Sequence, residues 1–203
     1  MTLAGKLIET AKVVIPIVWL YFVCAYLIGS IMCGYIVLKV LYRQDIRQLG
    51  SRNVGARNAG TLHGKTAFIL TFLGDALKGV LVIVIARFLH FSEHIQLIGL
   101  ALAVIGHLKP ITLKFKGGKG ISTFIGGGLA FQPLVAPVIL AAFSLLYPWI
   151  KSFTLAGLAA LLSIPACLFI MQYDWISCTL VVGILLLIFL AHAENIKERI
   201  PHL

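Results

Sequence analysis

Long apolar stretches separated by short polar ones organise this chain. They fall at about residues 13–41, 66–90, 95–108, 120–131, 133–150, 153–172 and 175–192. A helix needs ~20 apolar residues to cross ~30 Å of hydrocarbon, so the pattern predicts about seven transmembrane helices. Two segments are short. Residues 95–108 gain length only by running on through Lys109–Thr112, and residues 120–131 carry Gly126–Gly128 and stop before Pro133. So short a piece can lie at membrane depth only when packed among other helices. Small residues along the segments permit close helix approach, and no internal repeat suggests an inverted-repeat transporter. The expected fold is an all-α integral membrane protein, with residues 1–203 forming a single polytopic domain.

Composition agrees, at 60% hydrophobic and 12% charged residues, where soluble domains run nearer a quarter charged. A net charge of +10 could suggest nucleic acid, but the cations lie in short loops between apolar runs. A positive-inside bias accounts for them, and no nucleic-acid partner is expected. With the amino terminus outside and the carboxyl terminus inside, the inner loops hold Arg43, Arg47, Arg52, Arg57, Lys65, Lys109, Lys114, Lys116, Lys119, Lys151, Lys197 and Arg199, twelve of the seventeen cations. Lys39 adds a thirteenth, and Lys6 and Lys12 dissent. The basic, then apolar, amino terminus runs far past a signal-peptide core and is expected to stay as a first spanning helix. Cys24, Cys33, Cys167 and Cys178 form no C-x-x-C pair, and the histidines show no H-x-x-x-H spacing, so no metal site is expected.

The orientation gathers three polar stretches, residues 50–66, 109–123 and 192–199, on the cytoplasmic side. In "GSRNVGARNAG" (residues 50–60), Ser51, Asn53 and Asn58 offer hydrogen bonds, while Gly50, Gly55 and Gly60 allow sharp turns and close approach. Arg52 and Arg57 add planar cations suited to phosphate. A basic loop facing anionic headgroups would show the same composition. The neighbouring "GTLHGKT" resembles a P-loop, but Ala59 stands where its first glycine belongs and no strand precedes it. In "KFKGGKGIST" (residues 114–123), Gly117, Gly118 and Gly120 bracket Lys119 where a helical run begins. Amide N–H groups at a helix start plus an ammonium make an anion cradle, and His107 and Pro110 stand just upstream. In "HAENI", His192 and Asn195 share a helical face. Asp75 and Lys78, inside the second apolar run, are either a self-neutralising structural pair, the first expectation, or a functional one.

In order, these pieces resemble the bacterial acyl-phosphate:glycerol-3-phosphate acyltransferases, the PlsY family. That family has three motifs: S-x-N-x-G-x-x-N, here Ser51, Asn53, Gly55 and Asn58; G-G-K-G, here Gly117 to Gly120; and H-x-x-N-I, here His192, Asn195 and Ile196. The likeness extends to Gly29-Ser30, Gly34-Tyr35, Asp45-Ile46-Arg47, Asp75-x-x-Lys78-Gly79, Gly106-His107, Pro110 and Phe115-Lys116, and it leaves residues 1–20 as an extension and the start of the first helix.

The resemblance implies a multi-pass enzyme of the bacterial inner (plasma) membrane, with its active site facing the cytoplasm. It would transfer a fatty acyl group from acyl phosphate to the 1-hydroxyl of glycerol 3-phosphate, giving lysophosphatidate and phosphate, an early step of phospholipid synthesis. Membrane lipids surround it; no cofactor, metal or obligate protein partner is implied. An acyl phosphate is already activated, so positioned donors suffice for the oxyanion. Lys119, Ser51, Asn53, His192 and His107 are the candidate catalytic residues. Gly50, Gly55, Arg57, Asn58, Gly117, Gly118, Gly120 and Asn195 are the candidate substrate and phosphate contacts. The base is left open among His107, His192 and the substrate's own phosphate. Departures cluster on the acceptor side: Thr61, Ala193 and Glu198 stand where the family commonly has arginine, Arg57 where it has threonine, and Gly157 where it has a small hydroxyl residue. The alternatives are a paralogue with another acceptor or no turnover, and a small anion transporter.

Overall fold

The computed structural model describes the backbone of residues 3–193, and side chains for residue 12 and residues 14–193. Asn195, Ile196 and Glu198 lie outside the described residues. Among the described residues nine helices are formed: α1 (Leu3–Gly29), α2 (Cys33–Leu41), α3 (Ala56–Phe88), α4 (Glu93–Leu108), α5 (Ile121–Phe131), α6 (Val135–Ile150), α7 (Phe153–Leu161), α8 (Ser163–Ile170) and α9 (Trp175–Ala191). Single turns of 3-10 helix precede α3 (Ile46–Gln48) and α5 (Ile111–Leu113). Among the described residues there is no strand. Four stretches are long and apolar enough to cross a membrane: Val14–Leu41, Ala56–Phe88, Glu93–Leu113 and Phe153–Ile170, while α5, α6 and α9 are shorter apolar helices. Their outward faces carry Leu20, Val40, Leu77, Phe88, Leu145, Trp149, Ile170, Trp175 and Leu190, all exposed. Such a surface suits lipid and would be untenable in water.

Besides the one-residue interruption at Leu162 between α7 and α8, two breaks were not legible in the apolar pattern. The first run was expected to be continuous over 13–41, but the chain unwinds between α1 and α2 at Ser30–Met32. Free carbonyls at membrane depth need donors from elsewhere, and they have them. Lys78 Nζ donates to Ile31 O at 2.7 Å, and Thr112 Oγ1 donates to Ser30 O at 2.7 Å. The second break interrupts α3 at His63 and Gly64, whose φ of +77° only glycine adopts without strain. His63 is held there by stacking on Tyr42 (3.8 Å) and by a 2.8 Å hydrogen bond with Gln44 Oε1. Asp45 caps the 3-10 turn by accepting from the Arg47 amide and pairs with its guanidinium at 2.6 Å. That hydrogen bond holds the Asp45 carboxyl below its ordinary value.

Glycines set how closely the helices approach. A Cβ on Gly29 would overlap the Ala103 backbone, and one on Gly106 the Tyr26 carbonyl, so α1 and α4 touch backbone to backbone. Gly79 does the same against Thr123 O, and Gly126 against Ala76 O, which locks the eleven-residue α5 onto α3. This is the small-residue packing of membrane helices, and it satisfies the packing condition set by the short 120–131 segment. The main core joins Leu97, Leu100 and Val104 of α4 to Phe124 of α5, Leu158 and Leu161 of α7, and Ile184, Leu185 and Ile188 of α9.

Candidate active site

The polar stretch 50–66 was expected to be a loop. The structure confines the loop to residues 50–55, and Gly55 opens α3 at Ala56. The loop is wound around one side chain. Asn58 Oδ1 accepts from the Ser51 amide at 3.1 Å, while Asn58 Nδ2 donates to Leu49 O at 3.1 Å and to Asn53 O at 3.0 Å. Gly50 has φ +55°, and a Cβ there would collide with Asn58 Oδ1. Asn58 is 4% exposed, so this candidate substrate contact spends its amide on shaping the loop. Gly50 is likewise explained by backbone conformation. Ser51 and Arg52 remain exposed and Asn53 and Gly55 half-buried.

Arg57, in the first turn of α3, reaches across to α7, where its Nη1 donates to Thr154 Oγ1. Thr154 was missed in the sequence because nothing local marks it, 97 positions from its partner. Ser152, whose hydroxyl accepts from the Leu155 amide, caps α7 and places Thr154 in its first turn. A Cβ on Gly157, one turn further along, would meet nothing within 4 Å among the described residues.

The glycine–lysine loop folds back on the end of α4. The Gly118 amide donates to His107 O at 3.0 Å; a Cβ on Gly117 would overlap that carbonyl, and one on Gly118 would strike His107 Nε2. Gly120 (φ +84°) then turns the chain into α5 without a side-chain cap. Its first amides are the donors a helix start leaves without intrahelical acceptors. Tyr26 OH anchors the entry to the loop by donating to Lys109 O at 2.8 Å. His107 itself is 2% exposed. The sequence left it as one of three candidate bases; the structure seats it beneath the loop.

His192 caps the end of α9, with Nδ1 2.8 Å from Ile188 O. A carbonyl can only accept, so Nδ1 carries a hydrogen, and in the neutral ring Nε2 then holds the lone pair. Burial holds this imidazole below its ordinary value. The Ile188 hydrogen bond opposes that shift, and the charges of Lys119 and Arg57 add to it. Those two cations thus act on one neutral imidazole. Arg57 from α3, Thr154 from α7, Lys119 from the loop before α5 and His192 from α9 converge at one end of the helix assembly. The opposite helix ends meet separately, through Arg87 Nη2 donating to Phe131 O (2.6 Å) and His94 Nε2 beside Asp174 Oδ2 (2.8 Å).

A polytopic helical membrane protein with a basic, glycine-rich site at one end is the class this architecture defines. A model of the glycerol-3-phosphate acyltransferase family matches residues 19–201, and the chain belongs to that family. It is 44% identical to glycerol-3-phosphate acyltransferase 1 of Bacillus cereus over 172 residues, covering 85% of this chain and 94% of that one. It is 36% identical to its counterpart in Desulfitobacterium hafniense over 176 residues, 87% of each chain. The fold is similar to the crystal structure of PlsY (YgiH), an integral membrane glycerol 3-phosphate acyltransferase, in its glycerol 3-phosphate form. The TM-score is 0.83 at 33% identity, covering 91% of this chain and 92% of that one. Its lysophosphatidic acid form gives 0.81 at 31% identity. The acyltransferase reading therefore stands over the transporter one.

Proposed function

We propose that this protein moves a fatty acyl group from acyl phosphate to the 1-hydroxyl of glycerol 3-phosphate. The observation that carries the assignment is the gathering of Arg57, bonded to Thr154, with Lys119 and with His192, tied to the Ile188 carbonyl, at one end of the helix assembly. Both substrates are phosphates, and two cations with open amides at the start of α5 supply anion sites. The acceptor oxygen attacks the acyl carbonyl carbon, and charge develops on the carbonyl oxygen. Lys119 and the loop amides stabilise it. The bond from carbon to the phosphate oxygen then breaks, and phosphate leaves. The hydroxyl proton passes to His192 Nε2, the available lone pair, and from there to the departing phosphate. Ser51 and Asn53 face the donor phosphate, with Gly55 and Gly117–Gly120 giving the backbone its close approach. Arg57, aided by Thr154, takes the acceptor phosphate together with Asn195. Asn58 and Gly50 shape the first loop. Purified protein supplied with acyl phosphate and labelled glycerol 3-phosphate should form labelled lysophosphatidate. No product from this pair, with turnover of another alcohol, would move the assignment to a paralogue.

This end of the protein faces the cytoplasm of a bacterial cell in the proposed topology, because twelve loop cations favour that side. A reporter fused after Leu203 should be cytoplasmic. A cysteine introduced at Arg52, which is exposed, should escape an impermeant thiol reagent in intact cells and react once the membrane is opened. Labelling from outside overturns the orientation.

A further inference from the structure

Beneath the glycine–lysine loop lies a polar cluster that the proposed chemistry leaves unused. Asp75 and Lys78 of α3, His107 of α4 and Thr123 of α5 are each at most 5% exposed. Lys78 Nζ is 3.0 Å from Asp75 Oδ1, yet it donates to the Ile31 carbonyl in the α1–α2 break. Neither Asp75 oxygen nor Thr71 Oγ1 has a hydrogen-bond partner among the described residues. Asp75 Oδ1 faces His107 Nδ1 at 3.7 Å, and Thr123 Oγ1 lies 3.3 Å from the same nitrogen. The other edge of the imidazole, Nε2, lies where a Cβ on Gly118 would be, and the His107 carbonyl holds the Gly118 amide.

A pair present only to neutralise itself would direct the ammonium's hydrogens at the carboxylate. Here Lys78 spends one on a backbone carbonyl, and the carboxylate oxygen it approaches, Oδ1, also faces an imidazole. A buried carboxylate gains from each donor within reach, and beyond the ammonium a proton on His107 Nδ1 is such a donor. The ring is thus fixed on its Nδ1 edge by groups from α3 and α5, and its Nε2 edge forms the floor of the loop.

We infer that Asp75 and Thr123 are positioning residues. They orient His107, and His107 sets the height and direction of Gly117–Gly120 and hence of Lys119. The inference rests on the proposed acyl transfer for its kinetic readout but not for its structural one. Misplacing a catalytic group by about 1 Å can cost on the order of a hundredfold in rate, and that is the size of the expected effect on kcat.

The test compares Thr123→Val, which keeps the shape and removes the hydroxyl, with Thr123→Ser, which keeps the hydroxyl. The charge-free double variant Asp75→Asn/Lys78→Met is measured beside them, since it leaves no unpaired buried charge. Thr123→Val and the double variant should lose kcat by about a hundredfold, with both KM values within about threefold, while Thr123→Ser retains turnover. Amide hydrogen exchange of the full-length protein should quicken in the peptide spanning 114–123 and stay unchanged in α6–α8. Wild-type kcat and exchange in the double variant make the pair merely self-neutralising and overturn the inference, as does equal turnover of Thr123→Val and Thr123→Ser. Failure of the wild type to make lysophosphatidate sinks the proposed function alone; the exchange comparison still decides the positioning role. If the double variant fails to fold, the two Thr123 variants decide it.

Discussion

Replacing Lys119 with alanine is expected to abolish acyl transfer while leaving membrane insertion intact. Lys119 lies among Gly117, Gly118 and Gly120 on a loop whose shape is set by backbone contacts to α4, principally the 3.0 Å bond from the Gly118 amide to His107 O. Removing its side chain beyond Cβ leaves those backbone contacts in place. The chemistry suffers instead. A donor aimed at a developing oxyanion contributes about 2.7–4 kcal/mol, or roughly 10²–10³ in rate, and that loss should fall on kcat. Lys114, exposed at the C-cap of the preceding 3-10 turn, is the internal control. Lys114→Ala should turn over at close to the parental rate. Lys119→Ala retaining near-full kcat would remove the oxyanion role. A variant that loses kcat but also loses its place in the membrane fraction would mean that the loop's shape depends on Lys119.

Much of this fold was legible because hydropathy along a membrane helix is a long, redundant signal. The segments at 95–108, 120–131 and 175–192 contain helices within two residues of the expected bounds, and 66–90 is helical throughout to Phe88 although α3 starts ten residues earlier. What the pattern could not show were the breaks at Ser30–Met32 and His63–Gly64. Ser30 and Ile31 look like any other pair in an apolar run. Their carbonyls can be left free only because Thr112 and Lys78, far along the chain, come to meet them. The region 50–66 was misjudged for a related reason. Glycine and asparagine suggested a flexible loop, yet Asn58 satisfies the loop backbone from inside a helix. Lone motifs located Lys119 and His192. The hydroxyls of Thr154 and Thr123 had no local mark, because their partners come from other helices. Asn195, one of the expected substrate contacts, falls outside the described residues.

By the sequence resemblance, the departures from the family fall on acceptor-side positions such as Thr61, and Arg57 is the expected compensation. Thr61 occupies the position of a common family arginine. It lies one helical turn after Arg57 and donates its hydroxyl to the Arg57 carbonyl at 3.0 Å. Arg57 is exposed, joined to Thr154 and close enough to His192 to act on its titration. Its guanidinium therefore lies at the same end of the assembly as the imidazole that would take the acceptor's proton. Loss of a charge-assisted hydrogen bond to the acceptor phosphate costs about 1.5–3 kcal/mol, roughly 10- to 150-fold, and should appear as weaker acceptor binding. Arg57→Thr is expected to raise the KM for glycerol 3-phosphate by that factor while moving the KM for acyl phosphate little. Arg57→Thr/Thr61→Arg should recover part of the loss, since residues four apart share a helix face. Thr154→Val, which removes only the hydroxyl that steadies the guanidinium, should raise the same KM by a smaller factor. If Arg57 touches only lipid headgroups, none of these changes moves the acceptor KM. If it serves the donor instead, the KM for acyl phosphate rises first, and the two substrate sites exchange places.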